Sequence, residues 1–253
     1  MAVDVTSIVQ EAVNRSIKRN GLVLIGFLFV LEVLNALLGA GRTLFGATQF
    51  GSGAVQTNPT TVLPPLIAEV LSLAIGLASL VVTIAAIRVF VSEETERLSS
   101  EHFTRNMGWT ALHVIGGTIV YGIAVALGFV ALIIPGIFLL VTLGFWSVYV
   151  AVADQTFIEG FRSSWNLTRG HRLSLLLLVL PIVLLVTIIN GIGLVVGPLG
   201  GGVLAQAGTA IIIVFSTAVL AAAYNELTAL TDEEGRVSVA EPRIVPTDDA
   251  ESI

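Results

Sequence analysis

Six apolar runs, near residues 21–40, 64–91, 109–134, 136–154, 173–196 and 203–227, fill most of this chain. A helix rises about 1.5 Å per residue, so about 20 apolar residues cross the ~30 Å hydrocarbon core of a bilayer. Each run is long enough, or nearly so, to be one crossing. Only 12% of the residues are charged, against roughly 25% in an average soluble domain. Too little polar surface remains to coat a water-soluble globule. The sequence therefore predicts an all-α, polytopic integral membrane protein with six transmembrane helices.

The third and fourth runs meet in ALIIPGIFLL with no charge between them. Pro cannot continue a hydrogen-bond ladder and Gly turns readily, so Pro135-Gly136 predicts a tight hairpin rather than one long kinked helix over 109–154. With six spans, Arg15, Lys18, Arg19, Arg97, Arg105, Arg162, Arg169, Arg172, Arg236 and Arg243 fall on one side. Arg88 lies at that end of the second span, which leaves Arg42 alone on the other. The positive-inside rule then places both termini in the cytoplasm of a multi-pass cell-membrane protein.

Two further segments are amphipathic, which brings the expected helices to eight. In residues 1–20, Val5, Ile8, Val9, Ala12, Val13 and Ser16 gather opposite Asp4, Ser7, Gln10, Glu11, Asn14 and Lys18. That pattern fits a helix lying in the headgroup region ahead of the first span, with a plain solvated helix as the other reading. A cleavable signal peptide fits less well, because the apolar run after Asn20 is too long and no A-x-A site follows. The stretch FIEGFRSSWNLTRGHR is the second. A helix over 157–169, expected to lie on the cytoplasmic leaflet between the fourth and fifth spans, collects Phe157, Ile158, Phe161, Trp165 and Thr168 on one side and Glu159, Arg162, Asn166 and Arg169 on the other. Gly170 follows as a helix stop. Residues 231–253 are acidic, hold two Pro and lack apolar periodicity, so a disordered cytoplasmic tail is expected there, solubilising or partner-binding.

Arg162, Trp165, Arg169, His171 and Arg172 cluster where the fifth span begins. Indole favours the headgroup layer and guanidinium bonds phosphate, so the cluster is a candidate site for anionic lipid headgroups. A topological anchor with no chosen ligand is the plainer reading. A second candidate is a polar layer inside the bilayer formed by Glu32, Asn35, Glu69 and Asn190, with Arg42 at its outer mouth. Distances counted along the spans bring Glu32, Asn35 and Glu69 near one depth. An intramembrane carboxylate needs a partner, a proton or water. The layer fits either a cavity for protons, cations or a polar solute, or simple hydrogen bonds between helices.

The run PGIFLLVTLGFWSVYVAVADQTFIEGFRSSWNLTRGHR resembles the membrane domain found with some glycerophosphoryl diester phosphodiesterases, and related bacterial and archaeal multi-span families. Pro135, Gly136, Glu159, Ser164, Trp165, Leu167, Thr168 and Gly170 carry the resemblance, with Tyr224 and Leu227 in the last span. It implies fold and membrane residence. The chain has no room for the hydrolytic barrel and no counterpart of its His and carboxylate motifs, so catalysis is not implied.

Other chemistry finds no footing. The chain has no cysteine, and its three His residues show no ligand spacing, so neither a metal nor another cofactor is expected. GIGLVVG at 191–197 has the wrong spacing for a dinucleotide fingerprint and lies inside a span. The basic residues are too dispersed for a nucleic-acid surface. Eleven of them are Arg and Lys18 is the only Lys, a bias typical of high-GC or salt-adapted prokaryotes. The sequence thus favours a non-enzymatic module that binds or organises lipids, or assembles with a membrane partner or a second copy. A small transporter or channel using Glu32 and Glu69 is the alternative.

Overall fold

The computed structural model describes residues 4–38, 65–92, 101–196 and 201–240, and every regular element among them is a helix. In chain order these are α1 (Val5–Ile17), α2 (Arg19–Leu38), α3 (Pro65–Val91), α4 (Glu101–Thr104) and α5 (Met107–Ala131). There follow α6 (Ile133–Leu143), α7 (Trp146–Val152), α8 (Phe157–Leu167), α9 (Arg172–Val196) and α10 (Gly201–Ala240). Among the described residues, six helical stretches are long and apolar enough to span a bilayer: α2, α3, α5, α6 with α7, α9 and α10. The loop 41–61, Arg42 with it, lies outside the described residues.

Lipid tails are as apolar as leucine, so burial of hydrocarbon does not by itself drive spans together; close packing does. The last span is built for that. Ala210, Ala218, Ala221, Ala222 and Ala223 of α10 are fully buried, and α10 packs against α1, α2, α3 and α9. By contrast α9 exposes a row of leucines, Leu173, Leu177, Leu180 and Leu184, at helical spacing. One helix forms the axis of the bundle and the other its lipid face.

The hairpin between the third and fourth spans is tighter than the sequence suggested. The chain turns at a single extended residue, Leu132 (φ −165°, ψ 153°), and Pro135 sits in the first turn of α6. Pro is tolerated there because first-turn N–H groups have no partner within the helix. A Cβ on Gly128 would fall 2.9 Å from Gly136 Cα, and the Tyr121 hydroxyl donates to Leu140 O across the pair at 3.0 Å. A kinked single helix is excluded.

α1 packs on the spans along one side: Ile8, Ala12 and Ser16 are buried against α10, α2 and α9, while Val13 and Ile17 stay exposed. Its apolar stripe meets protein because the spans end where α1 folds back. Asp4 caps it, accepting from Thr6 N (3.0 Å) and Ser7 N (3.3 Å), and Asp4 N donates to Glu226 Oε1 at 2.8 Å. That bond joins the start of the chain to the last span at one end of the bundle. α10, for its part, continues through Ala240, ten residues into the segment expected to be an irregular tail. Thr231, Asp232, Glu233 and Glu234 do not break a helix already propagating, since extending one costs far less than starting one. Residues 241–253 lie outside the described residues.

Candidate functional site

The arginine-rich end of the bundle is held by side chains that cap helix ends. The last carbonyls of a helix have no partner within it, and here arginine and asparagine supply one. Arg15 of α1, buried, donates to Phe90 O and pairs with Glu11; Asn225 Nδ2 donates to Val91 O at 3.2 Å. Arg88 does more. Only 7% exposed, it donates from Nε to Ala151 O (2.7 Å), from Nη1 to Arg105 O (2.8 Å) and from Nη2 to Thr110 Oγ1 (3.1 Å). Asp154 lies 3.7 Å from Arg88 and pairs with Arg105 at 2.6 Å. α3, α5 and the end of α7 are thereby tied at one residue. The sequence placed Arg88 at this level but gave no hint of its partners, which lie 17 to 63 positions away.

The fourth span is broken at Gly144–Phe145, between α6 and α7. Ser164 and Thr168, both fully buried, close that break. The Ser164 hydroxyl accepts from Phe145 N (3.1 Å) and donates to Thr142 O (2.8 Å). The Thr168 hydroxyl donates to Ser164 O (3.0 Å) and lies 3.4 Å from Thr142 O. A frayed backbone at membrane depth must be paired by protein, and these two hydroxyls pair it.

α8 supplies both from one narrow face. Gly160, Ser164 and Thr168, spaced by four, point inward, and a Cβ on Gly160 would fall 2.9 Å from Trp146 O. Its first turn reaches Gly116 of α5 through Phe157, its middle crosses α7 and its last turn reaches α6. It thus runs back along the fourth span, from α7 onto α6. The predicted apolar side is only partly the inner one: Ile158 is 61% exposed, because the tightest contact is made by the small residues. Thr156 and Glu159 form a reciprocal capping box at its start. The Glu159 carboxyl is held below the usual range by accepting from Thr156 N (3.0 Å) and then Thr156 Oγ1 (2.9 Å), with lesser help from Arg162 and His113.

Of the five residues in the predicted headgroup cluster, Arg162 and Arg169 are exposed, with Asn166 between them. Trp165, His171 and Arg172 are half-buried. Gly170 makes the turn into α9 with φ +87°, a conformation that favours glycine. Arg172 comes to rest against two rings, its Cζ 4.8 Å from the Phe138 centroid and 4.9 Å from that of Trp165. Its Nε is buried and has no hydrogen-bond partner.

Of the intramembrane candidates, Asn35 is bonded to the neighbouring span. Ser72 Oγ donates to Asn35 Oδ1 at 2.6 Å, fixing the register of α2 and α3. Arg15, just before α2, meets Phe90 at the end of α3, so the two run antiparallel. Glu32 and Glu69 then lie three residues to either side of the pair, about 9 Å apart along the axis. Glu69 stands near the outer end of both helices. Asn190 is exposed and donates back to Val186 O of its own helix at 2.7 Å. Among the described residues no group of three or more His or acidic side chains is placed to hold a metal.

A family model described as a domain of unknown function, DUF7847, matches residues 3–227. No curated protein and no solved structure matches the chain. The family match carries no link to phosphodiesterases, so what holds of the resemblance is the helical membrane fold.

Proposed function

The chain belongs to the DUF7847 family, and on that footing we propose that it is a non-enzymatic membrane module whose arginine-rich end binds anionic lipid headgroups. The observation that carries this reading is the division of labour on α8. Its inner face is taken up by Gly160, Ser164 and Thr168, while its outer face leaves Arg162, Asn166 and Arg169 exposed beside Trp165. A basic outer face on a helix packed against the spans is suited to attract anionic lipid phosphate, worth about 1 kcal/mol per arginine near the surface. The positive-inside pattern of the basic residues supports a cytoplasmic position for this end.

Native mass spectrometry of the protein in mixed-lipid nanodiscs tests the proposal, with Arg162→Ala/Arg169→Ala/Arg172→Ala as the control. Preferential retention of an anionic lipid by the unaltered protein alone supports it. Equal, non-selective retention by both would reduce α8 to an anchor. The same spectra read stoichiometry, so assembly with a second copy would register directly. The transport alternative draws less support, because the register of α2 and α3 sets Glu32 and Glu69 about two turns apart.

A further inference from the structure

Arg172 differs in kind from the other arginines at this end. Arg88 and Arg15 spend their donors on carbonyls of neighbouring helices, and Arg105 pairs with Asp154. Arg162 and Arg169 are exposed. Arg172 alone among these is packed against two aromatic rings, Phe138 and Trp165, themselves 5.6 Å apart at 78°. Stacking of this kind is attractive and restrains the guanidinium plane, but it supplies no hydrogen-bond acceptor. Two acids at this end of the chain are engaged elsewhere, Glu159 in its capping box and Asp154 between Arg88 and Arg105. A half-buried guanidinium held flat by two rings gains most from an anion with several acceptor oxygens brought to the part of it that stays exposed.

What lies beside it says what carries that anion. Leu173, the next residue, is 76% exposed, and Leu177, Leu180 and Leu184 continue the same exposed ridge down α9. That ridge is a bed for hydrocarbon, not for a free ion. We propose that Arg172 selects a phosphate-bearing lipid, its guanidinium on the phosphate and the acyl chains along the Leu173–Leu184 ridge. Arg162 and Arg169 raise the local concentration of anionic lipid without choosing among headgroups. The inference rests on the headgroup reading of α8 and narrows it to one residue and one chemical group.

The test compares three proteins in nanodiscs of phosphatidylcholine holding equal small fractions of phosphatidylglycerol and a diacylglycerol hemisuccinate, an anionic lipid without phosphate. The proteins are the unaltered chain, Arg172→Lys and Arg162→Ala/Arg169→Ala. Lysine keeps the charge but loses the planar fork and the stacking. Arg172→Lys should lower phosphatidylglycerol retention about tenfold, the equivalent of one charge-assisted bond, and abolish its preference over the hemisuccinate. The double variant should lower both anionic lipids alike, in a salt-dependent way. Should Arg172→Lys misfold, Phe138→Leu removes one ring at little loss of apolar volume and should shift retention in the same direction. Unchanged phosphatidylglycerol preference in Arg172→Lys, with loss in the double variant, would overturn the role of Arg172 and leave the headgroup reading standing. Absence of any anionic preference in the unaltered chain would sink both. Displacement of the lipid by millimolar inorganic phosphate would make the free anion the ligand and overturn the lipid assignment.

Discussion

Replacing Ser164 by alanine removes a hydroxyl that serves Phe145 N and Thr142 O together, at a fully buried position. The expected loss is about 1–3 kcal/mol, read as an earlier midpoint when the protein is unfolded by titrating SDS into mild-detergent micelles. Thr168→Val should cost less, because Thr142 O keeps its bond from Ser164. Gly160→Ala tests the same contact from the steric side. Its new methyl meets the Trp146 carbonyl, which is backbone and cannot swing away, so a loss of about 1–3 kcal/mol is expected in the same titration. Arg88→Met would strip donors from Ala151 O and Arg105 O at once and should exceed either change.

At the scale of the element, α8 is held from both ends, by the capping box at Thr156 and by the clamp at Ser164 and Thr168. Thr156→Ala should cost about 1 kcal/mol. The depressed folded pKa of Glu159 gives this end a pH dependence. Its contribution is complete above the ordinary carboxylate range and is lost as pH falls through the lower folded value. Hydrogen exchange at the first turn of α8 should therefore quicken on acidification, and Glu159→Gln should flatten that response. The amphipathic pattern made α8 and its exposed Glu159, Arg162, Asn166 and Arg169 legible in the sequence. The inner face was not, because hydrophobicity favours Ile158 while contact distance favours Gly160, Ser164 and Thr168. Their spacing of four was the available signal, a small-residue stripe of the kind by which membrane helices approach one another. The break at Gly144–Phe145 was hidden for a related reason. Leu, Gly and Phe carry no polar mark, and the groups that make the break affordable lie some twenty residues further on.

For the molecule as a whole, span number and approximate span ends followed from length and hydropathy, whereas depth relations between spans did not. The Glu32 and Glu69 levels depend on a helix offset that only the Asn35–Ser72 contact fixes. The absence of cysteine permits a clean test of topology. Single cysteines at Gln10 and Ser252 should react with a membrane-impermeant maleimide from the same side, as six crossings require; labelling from opposite sides would remove one span. The one-residue turn at Leu132 bears on how the chain reaches the membrane at all. A linker that short leaves no segment to be threaded through after α5 has settled. A turn that short favours insertion of the third and fourth spans together as a helical hairpin.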